Sequence, residues 1–325
     1  MKIFAIIVTH NAKRWIDRCF GSLVASSVEL EIVVIDNAST DETVEYLKKK
    51  FDFVIAGFDP QSSSHSGDCG ICRNDANNVI FPQSENLGFG KANNIGIKYA
   101  LDNDADYVFL LNQDAWIEED TIEKLLSLSV SGITAPMQVD AEGKNLDLKF
   151  QQIYLSEENA SGLINDLYFN RLKPYYEANL VNAAAILISR DCIEKVGGFD
   201  TSLFYHYGED WNYCQRVKYH RFKIVIAPQI KVIHDREERQ GKFSANFENA
   251  WESIEPKVRL GNILMPDSEF EVQIKHLHKI RIFKILKAVF TLKPNRIRGL
   301  QKEIDFDKIR ESRRINKKGS MVWLS

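Results

Sequence analysis

Cysteine is scarce in this chain. There are five, an odd number: Cys19, Cys69, Cys72, Cys192 and Cys214. That usage fits a reducing cytoplasm. No stretch of about eighteen apolar residues occurs, so no segment reads as a membrane-spanning helix. The opening Met1–His10 has a short apolar run but no small-residue cleavage site, so it reads as a first strand and not a secretion signal. A large net charge is also missing: the formal balance is −3 over 325 residues, with an ordinary 44% of apolar residues. The small total hides an asymmetry. From Glu271 to Ser325 there are fifteen Lys/Arg against five Asp/Glu, so an acidic body carries a basic tail suited to an anionic surface.

What is present is a series of short apolar runs that end in polar clusters. Phe4–Val8 reads as a buried strand ending in Thr9-His10-Asn11, with a helix from about Arg14 to Ala25. Glu31–Ile35 is β-branched and reads as a second strand. It ends in Asp36-Asn37-Ala38-Ser39-Thr40-Asp41, where Ser39 or Thr40 can cap the next helix. Strand, helix, strand, helix with short links is the pattern of a parallel sheet. Val79–Phe81 is a further short strand. Glu85-Asn86-Leu87-Gly88-Phe89-Gly90-Lys91-Ala92-Asn93 then opens a helix to about Leu101. Glycines there let backbone N–H groups approach a phosphate, or simply make a tight turn.

Tyr107–Leu111 is a strand buried on both faces, and it stops abruptly in Asn112-Gln113-Asp114. Polar groups at the carboxyl end of such a strand face the ligand crevice of an open α/β sheet. Asp114 suits a hard divalent cation there, or it caps the helix expected from about Glu118 to Leu128. Strands follow near Gly132–Pro136, at Leu180–Ile188, at Phe222–Ile226 and at Ile230–Ile233, with an irregular stretch to about Pro174. Helices are expected over Arg190–Val196 and from Glu209 to Tyr219. The second opens with Glu209 and Asp210, two carboxylates that the helix dipole favours. His65, Cys69 and Cys72 sit in a polar loop and could give three zinc ligands, though a fourth is missing nearby.

Taken in order, Ile-Val-Thr9-His-Asn11, Asp36-Asn-Ala-Ser-Thr-Asp41, Asn86-Leu-Gly-Phe-Gly-Lys91-Ala-Asn93, Asn112-Gln113-Asp114, Gly-Gly-Phe-Asp200, Glu209-Asp210-Trp211 and His234 resemble family 2 glycosyltransferases over Phe4 to Asp235. The branch most similar is that of rhamnosyl- and galactosyltransferases of bacterial surface polysaccharide. The resemblance implies an α/β GT-A fold, a Rossmann-like mixed sheet flanked by helices, followed by a helical basic C-terminal tail. It implies an inverting transfer from a nucleoside-diphosphate sugar, UDP- or dTDP-linked, to a glycan or lipid-linked acceptor in O-antigen or capsule synthesis.

The resemblance also carries roles, residue by residue. Thr9, Asn11, Asp36, Asn86, Lys91, Asn93, Asn112 and Gln113 are expected at the nucleotide-sugar. Asp114 and His234 are expected to hold Mn²⁺ or Mg²⁺. Asp210, with Glu209, is expected as the catalytic base, and Trp211 as an acceptor contact. Asn112 stands where the family's first metal-motif aspartate would be, which leaves less negative charge around the cation. The processive members' Gln-x-x-Arg-Trp is absent, since Gln215-Arg216-Val217 does not match it.

The expected division is a transferase domain over 1–262 and an extension over 263–325. In the extension Ile274, Leu277, Ile280, Phe283, Leu286 and Val289 share one helical face opposite lysines. That face suits either a membrane interface or packing on the body or a second subunit. The expected location is cytoplasmic, on the inner face of the plasma membrane if the tail binds lipid. Rival readings are a nucleotide-sugar-binding protein without catalysis, a sugar nucleotidyltransferase, and an RNA-binding module. The acidic body and the lack of an RNA-binding motif speak against nucleic acid as a partner.

Overall fold

The computed structural model describes residues 1–56, 78–236, 242–290 and 305–324. One ten-stranded mixed sheet carries the chain. Its first half is parallel: β1 (Ile3–Thr9), β2 (Glu31–Asp36), β3 (Val54–Ile55), β4 (Asn78–Pro82) and β5 (Tyr107–Leu111) run in the order β3-β4-β2-β1-β5. The link helices are α1 (Ile16–Val24), α2 (Thr43–Phe51) and α3 (Phe89–Asp102).

The second half makes the sheet mixed, as the resemblance implies. It adds β6 (Ala115–Ile117), α4 (Thr121–Ser127), β7 (Gly132–Val139), β8 (Tyr176–Glu177), β9 (Ala185–Ser189) and β10 (Lys223–His234). β9 lies antiparallel between β5 and β7, β10 runs parallel to β7, and β6 and β8 both pair antiparallel with β10. The two strands expected at 222–226 and 230–233 are one strand, irregular in register between Ala227 and Lys231. The stretch expected to be irregular contains α5 (Leu148–Tyr154) and α6 (Leu163–Tyr168). The strand expected from Leu180 begins only at Ala185, which leaves Asn182 free of the ladder.

Alternation along β1 explains the layers. Phe4 and Ile6 face one core, with Ile97, Ala100, Phe199 and Val217; Ile3, Ala5 and Ile7 face the other, with Ile16, Phe20 and Leu23. Burying each such side chain contributes about 1.5–3 kcal/mol. α3 lies so close to β1 that a Cβ on Gly96 would meet Ile6 Cγ2 at 2.6 Å.

Helices α7 (Arg190–Val196), α8 (Glu209–Tyr219), α9 (Lys242–Gly261), α10 (Asp267–Phe290) and α11 (Phe306–Lys318) complete the described structure. A third apolar cluster joins Leu203, Phe204, Ile254, Val258, Phe270, Ile274, Phe306 and Ile309. Within α10, Ile274 is buried, whereas Ile282 and Phe283 are exposed. Residues 306–324 pack on the body: Ser312 and Asn316 donate to the buried Asp200 carboxylate, and Gly198 N donates to Val322 O at 2.9 Å. Among the described residues no helix is long and apolar enough to cross a membrane.

Candidate active site

Register brings the polar strand ends to one edge of the sheet. Thr9 pairs with Asp36 across β1 and β2, and Ile6 of β1 pairs with Leu110 of β5, so Asn112–Asp114 emerge beside Thr9–Asn11. The loops are then tied together. Thr9 Oγ1 donates to Asp36 Oδ1 at 2.8 Å, and Asp36 also receives Ser39 N and Ser39 Oγ. Ser39 is therefore not the expected helix cap; Asp41 takes Thr43 N instead, and Glu42 occupies the cap position. Asn11, at φ 52°, accepts Thr40 N and Asp41 N on its side-chain oxygen. Gln113 closes the gap by accepting His10 N at 2.7 Å and donating to His10 O at 3.2 Å.

Asn86 is the hinge of the next loop. Its Oδ1 accepts Asn37 Nδ2 and Gly88 N, and its carbonyl accepts the Tyr205 hydroxyl at 2.7 Å. Gly88 has φ +78°, and a Cβ there would lie 2.5 Å from Tyr205 O. The glycine thus serves the close approach of the 199–205 segment. Asn93 is buried and donates to Phe89 O within its own helix, whereas Lys91 is exposed. A cleft of about 270 Å³ opens between the two segments, lined by Glu85, Asn86, Lys91, Thr201, Phe204 and Tyr205 among others.

Asp114 does not start a helix. It precedes β6, which pairs with the end of β10 so that Ala115 stands opposite His234. Asp114 and His234 are both buried to about 1%, and His234 Nε2 lies 3.4 Å from Asp114 Oδ1. Burial, then the nearby Arg236 charge, lowers the His234 pKa, so the imidazole is neutral. A neutral imidazole beside a carboxylate is a sound donor set for a divalent cation. Two donors 3.4 Å apart can share one cation with bonds of about 2.1 Å. Among the described residues no group of three His, Cys, Asp or Glu is arranged to hold a metal, so this pair would leave the other positions to phosphate and water. His65, Cys69 and Cys72 lie outside the described residues.

Glu209 and Asp210 open α8 after Gly208, which has φ +91°. Neither side chain caps the helix. Asp210 Oδ1 accepts Trp211 N at 2.8 Å, and Glu209 Oε2 is buried without a hydrogen-bond partner. Burial raises both carboxyl pKa values, and the Asp210 charge raises Glu209 further. The two carboxyls interact, so the pair as a unit holds a proton to higher pH than free carboxylates do. Trp211 packs on Trp251 with ring centroids 5.3 Å apart. Arg236, 3.4 Å from Asp147 Oδ2, acts electrostatically on both His234 and Asp210.

Several polar residues here had no sequence signal. Gln138 and Asn182 are buried and pair through their amides beside His234. Asn94 holds Phe199 through its backbone N and O and reaches Trp323 O. Arg216, fully buried, donates to Val196 O and Gly198 O. Each is a single polar residue whose partner is distant in sequence.

Residues 4–132 match the family model for glycosyl transferase family 2. That match spans 129 of the chain's 325 residues, and over that stretch the chain is similar to the family. It is 26% identical over 152 residues to the dTDP-rhamnosyl transferase RfbF of Shigella flexneri, covering 46% of this chain and 49% of that protein. The chain thus spans about half the length of that relative. It is 24% identical over 229 residues to the low-salt glycan biosynthesis hexosyltransferase Agl10 of Haloferax volcanii, covering 68% and 71%. Among solved structures, S. aureus TarS 1–349 superposes with a TM-score of 0.51 at 15% identity, covering 93% of this chain and 90% of that one. At that identity the likeness concerns the fold, the GT-A sheet with its flanking helices.

Proposed function

We propose that this chain is an inverting, cation-dependent glycosyltransferase of family 2. It moves a sugar from a nucleoside-diphosphate donor to a glycan or lipid-linked acceptor in surface polysaccharide synthesis. The observation that carries the reading is the division of labour between two acidic groups. Asp114 sits with a neutral histidine, and Asp210 sits as a buried carboxyl with a raised pKa on which the charge of the same Arg236 acts.

In this reading Thr9, Asn11 and Asp36 form the nucleoside end of the crevice, largely through the loop conformation their hydrogen bonds fix. Asn86, Lys91, Asn93, Asn112 and Gln113 border the diphosphate and sugar, with Lys91 supplying an exposed positive charge. Asp114 and His234 would hold Mn²⁺ or Mg²⁺, which when bound neutralises the charge that develops on the departing diphosphate. Asp210 takes the proton of the acceptor hydroxyl as that oxygen attacks the anomeric carbon. The bond from the anomeric carbon to the diphosphate oxygen breaks in the same displacement, and the nucleoside diphosphate leaves. Glu209, whose carboxyl is raised by burial and by the Asp210 charge, borders the acceptor with Trp211. The similarity to a dTDP-rhamnosyl transferase and to a glycan hexosyltransferase supports a deoxyhexose or hexose donor. The basic tail, with Ile282 and Phe283 exposed, supports contact with an anionic membrane that carries the acceptor.

The test is a panel of UDP-, dTDP- and GDP-sugars assayed with purified protein, with and without Mn²⁺, for thermal shift and for release of nucleoside diphosphate. A donor that binds and turns over only with the cation is expected. Turnover undiminished in EDTA would refute the cation-dependent form of the reading.

A further inference from the structure

We infer that Gln138, locked by Asn182, is the positioning residue that holds His234 in the tautomer a cation needs; this rests on the proposed role of His234. The chain of hydrogen bonds begins at a group with no ambiguity. Ala184 N is a backbone donor, and it lies 3.3 Å from Asn182 Oδ1. That contact fixes which end of the Asn182 amide is oxygen. Gln138 Nε2 then donates to Asn182 Oδ1 at 2.5 Å, and Asn182 Nδ2 donates back to Gln138 Oε1 at 3.2 Å. The two amides form a closed reciprocal pair, with Gln138 fully buried and Asn182 nearly so.

The consequence reaches the site. Gln138 Oε1 is an acceptor, and it lies 3.1 Å from His234 Nδ1. An acceptor at that distance requires a proton on Nδ1. The neutral ring then presents its lone pair on Nε2, the atom that faces Asp114 Oδ1. A lone pair toward a carboxylate is repulsive by itself and favourable when a cation lies between them. Two contacts favour the opposite tautomer: Arg236 Nε donates to the same Nδ1 at 3.2 Å, and His234 takes Asp114 as a side-chain hydrogen-bond partner, which a cation between the two would replace. Arg236 Nε also lies 3.4 Å from Asp147 Oδ2, within ion-pair distance. The three strands involved converge by register. Gln138 of β7 pairs with Val232 of β10, two residues before His234, and Ala184 O accepts Asn112 N at the end of β5.

The experiment uses the full chain. Free Mn²⁺ is followed by electron paramagnetic resonance during titration, with Mn²⁺ alone and with UDP. Gln138→Leu should weaken Mn²⁺ binding about 10- to 100-fold, the usual consequence of losing such a partner to a metal-bound histidine. Gln138→Glu keeps an acceptor at the same place and should stay within a few-fold of wild type. Unchanged affinity in Gln138→Leu overturns the inference alone, whereas a wild-type chain that binds no Mn²⁺ overturns it together with the functional reading. Should the leucine variant fail to fold, ¹⁵N shifts of His234 in the wild-type chain with Mg²⁺ and UDP decide the matter. A proton on Nδ1 is expected, and a proton on Nε2 refutes the assignment.

Discussion

Replacing Asp210 by asparagine should produce an enzyme that is nearly inactive and yet more stable. The amide keeps the shape and still accepts Trp211 N, but it cannot take a proton. Loss of a positioned base costs about 10² to 10⁴ in rate, or about 3–5 kcal/mol of barrier. The stability change follows from the environment of the carboxylate. Burial raises the Asp210 pKa from 3.8 to about 6. A carboxyl raised on folding stabilises the protein below its unfolded pKa and loses that contribution as pH rises through the folded one. At pH 8 the folded chain therefore carries a penalty of up to about 3 kcal/mol for ionising this side chain. Asparagine removes the penalty, so the variant should melt a few degrees higher at pH 8 and no higher than wild type near pH 4.

The assay pairs transfer at saturating donor with thermal unfolding at both pH values. Wild-type transfer should rise as pH passes through about 6. Glu209→Gln is the control. Burial and the Asp210 charge raise Glu209 to about 8, and the amide resembles its protonated form. That variant should retain most of its transfer at neutral pH. A dead Glu209→Gln beside an active Asp210→Asn would exchange the two roles. An Asp210→Asn variant that is inactive but less stable at pH 8 would refute the reasoning, because the side chain would then be structural. Full activity in both would remove the base from this site altogether.

Three further outcomes are expected. Asp114→Ala should weaken Mn²⁺-dependent nucleoside-diphosphate binding at least about tenfold and make what remains insensitive to EDTA, as isothermal titration would report; wild-type affinity would place the cation elsewhere. Asp200→Ala leaves the buried Ser312 hydroxyl and Asn316 amide without their acceptor and should cost at least about 3 kcal/mol in a denaturant titration. A near-neutral result would mean that 306–324 is not held by this carboxylate. Phe283→Glu, on the exposed side of α10, should reduce sedimentation with anionic vesicles in low salt and leave thermal stability unchanged; equal sedimentation would argue against tail-mediated membrane contact.

The parallel half of the sheet was legible because its strands are continuous apolar runs that end in polar clusters, and both features are local. Strand direction was not. β9 is as apolar as β1, and hydrophobic pattern carries no sign for parallel or antiparallel, so the mixed half needed tertiary contacts to define it. Asp114 was legible as a cation candidate from its strand end, but His234 was nominated only through resemblance. Nothing in the spacing of two residues so far apart says that β6 folds back on β10 to join them. Gln138 and Asn182 were invisible for a related reason. Each interrupts an apolar stretch as a single polar residue, and its meaning depends entirely on the partner across the sheet. The tail's positive sum was readable, but not how it is used: Arg310 pairs with Glu271, and Arg313 with Asp267 and the carbonyls of 260–265.

Those tail contacts bear on where specificity is built. The match to the family model ends at residue 132 and takes in every loop assigned to the donor up to Asp114. Asp210, proposed as the base, His234 and Trp211 all lie beyond it, and so does the C-terminal segment. That segment is wedged against the acceptor side. Val322 O accepts Gly198 N, and a Cβ on Gly197 would lie only 2.2 Å from that same oxygen. Gly198 leads directly into Phe199, whose ring stacks at 5.0 Å on Tyr213 of α8, the helix that presents Glu209 and Asp210. Arg216 of the same helix holds the carbonyls of Val196 and Gly198 from below. A change in the last residues is therefore transmitted to the base through packed backbone and not through a linker. The proposed donor side rests on β1, β2 and β5, and the tail touches it only through α3, where Asn94 Nδ2 donates to Trp323 O beside Asn93. Substitutions at Val322, which contacts Gly197 and Gly198, should thus alter acceptor use more than donor affinity, which kinetics with each substrate varied in turn would separate. Equal losses toward both substrates would mean that the tail supports the whole fold and not this side of the site.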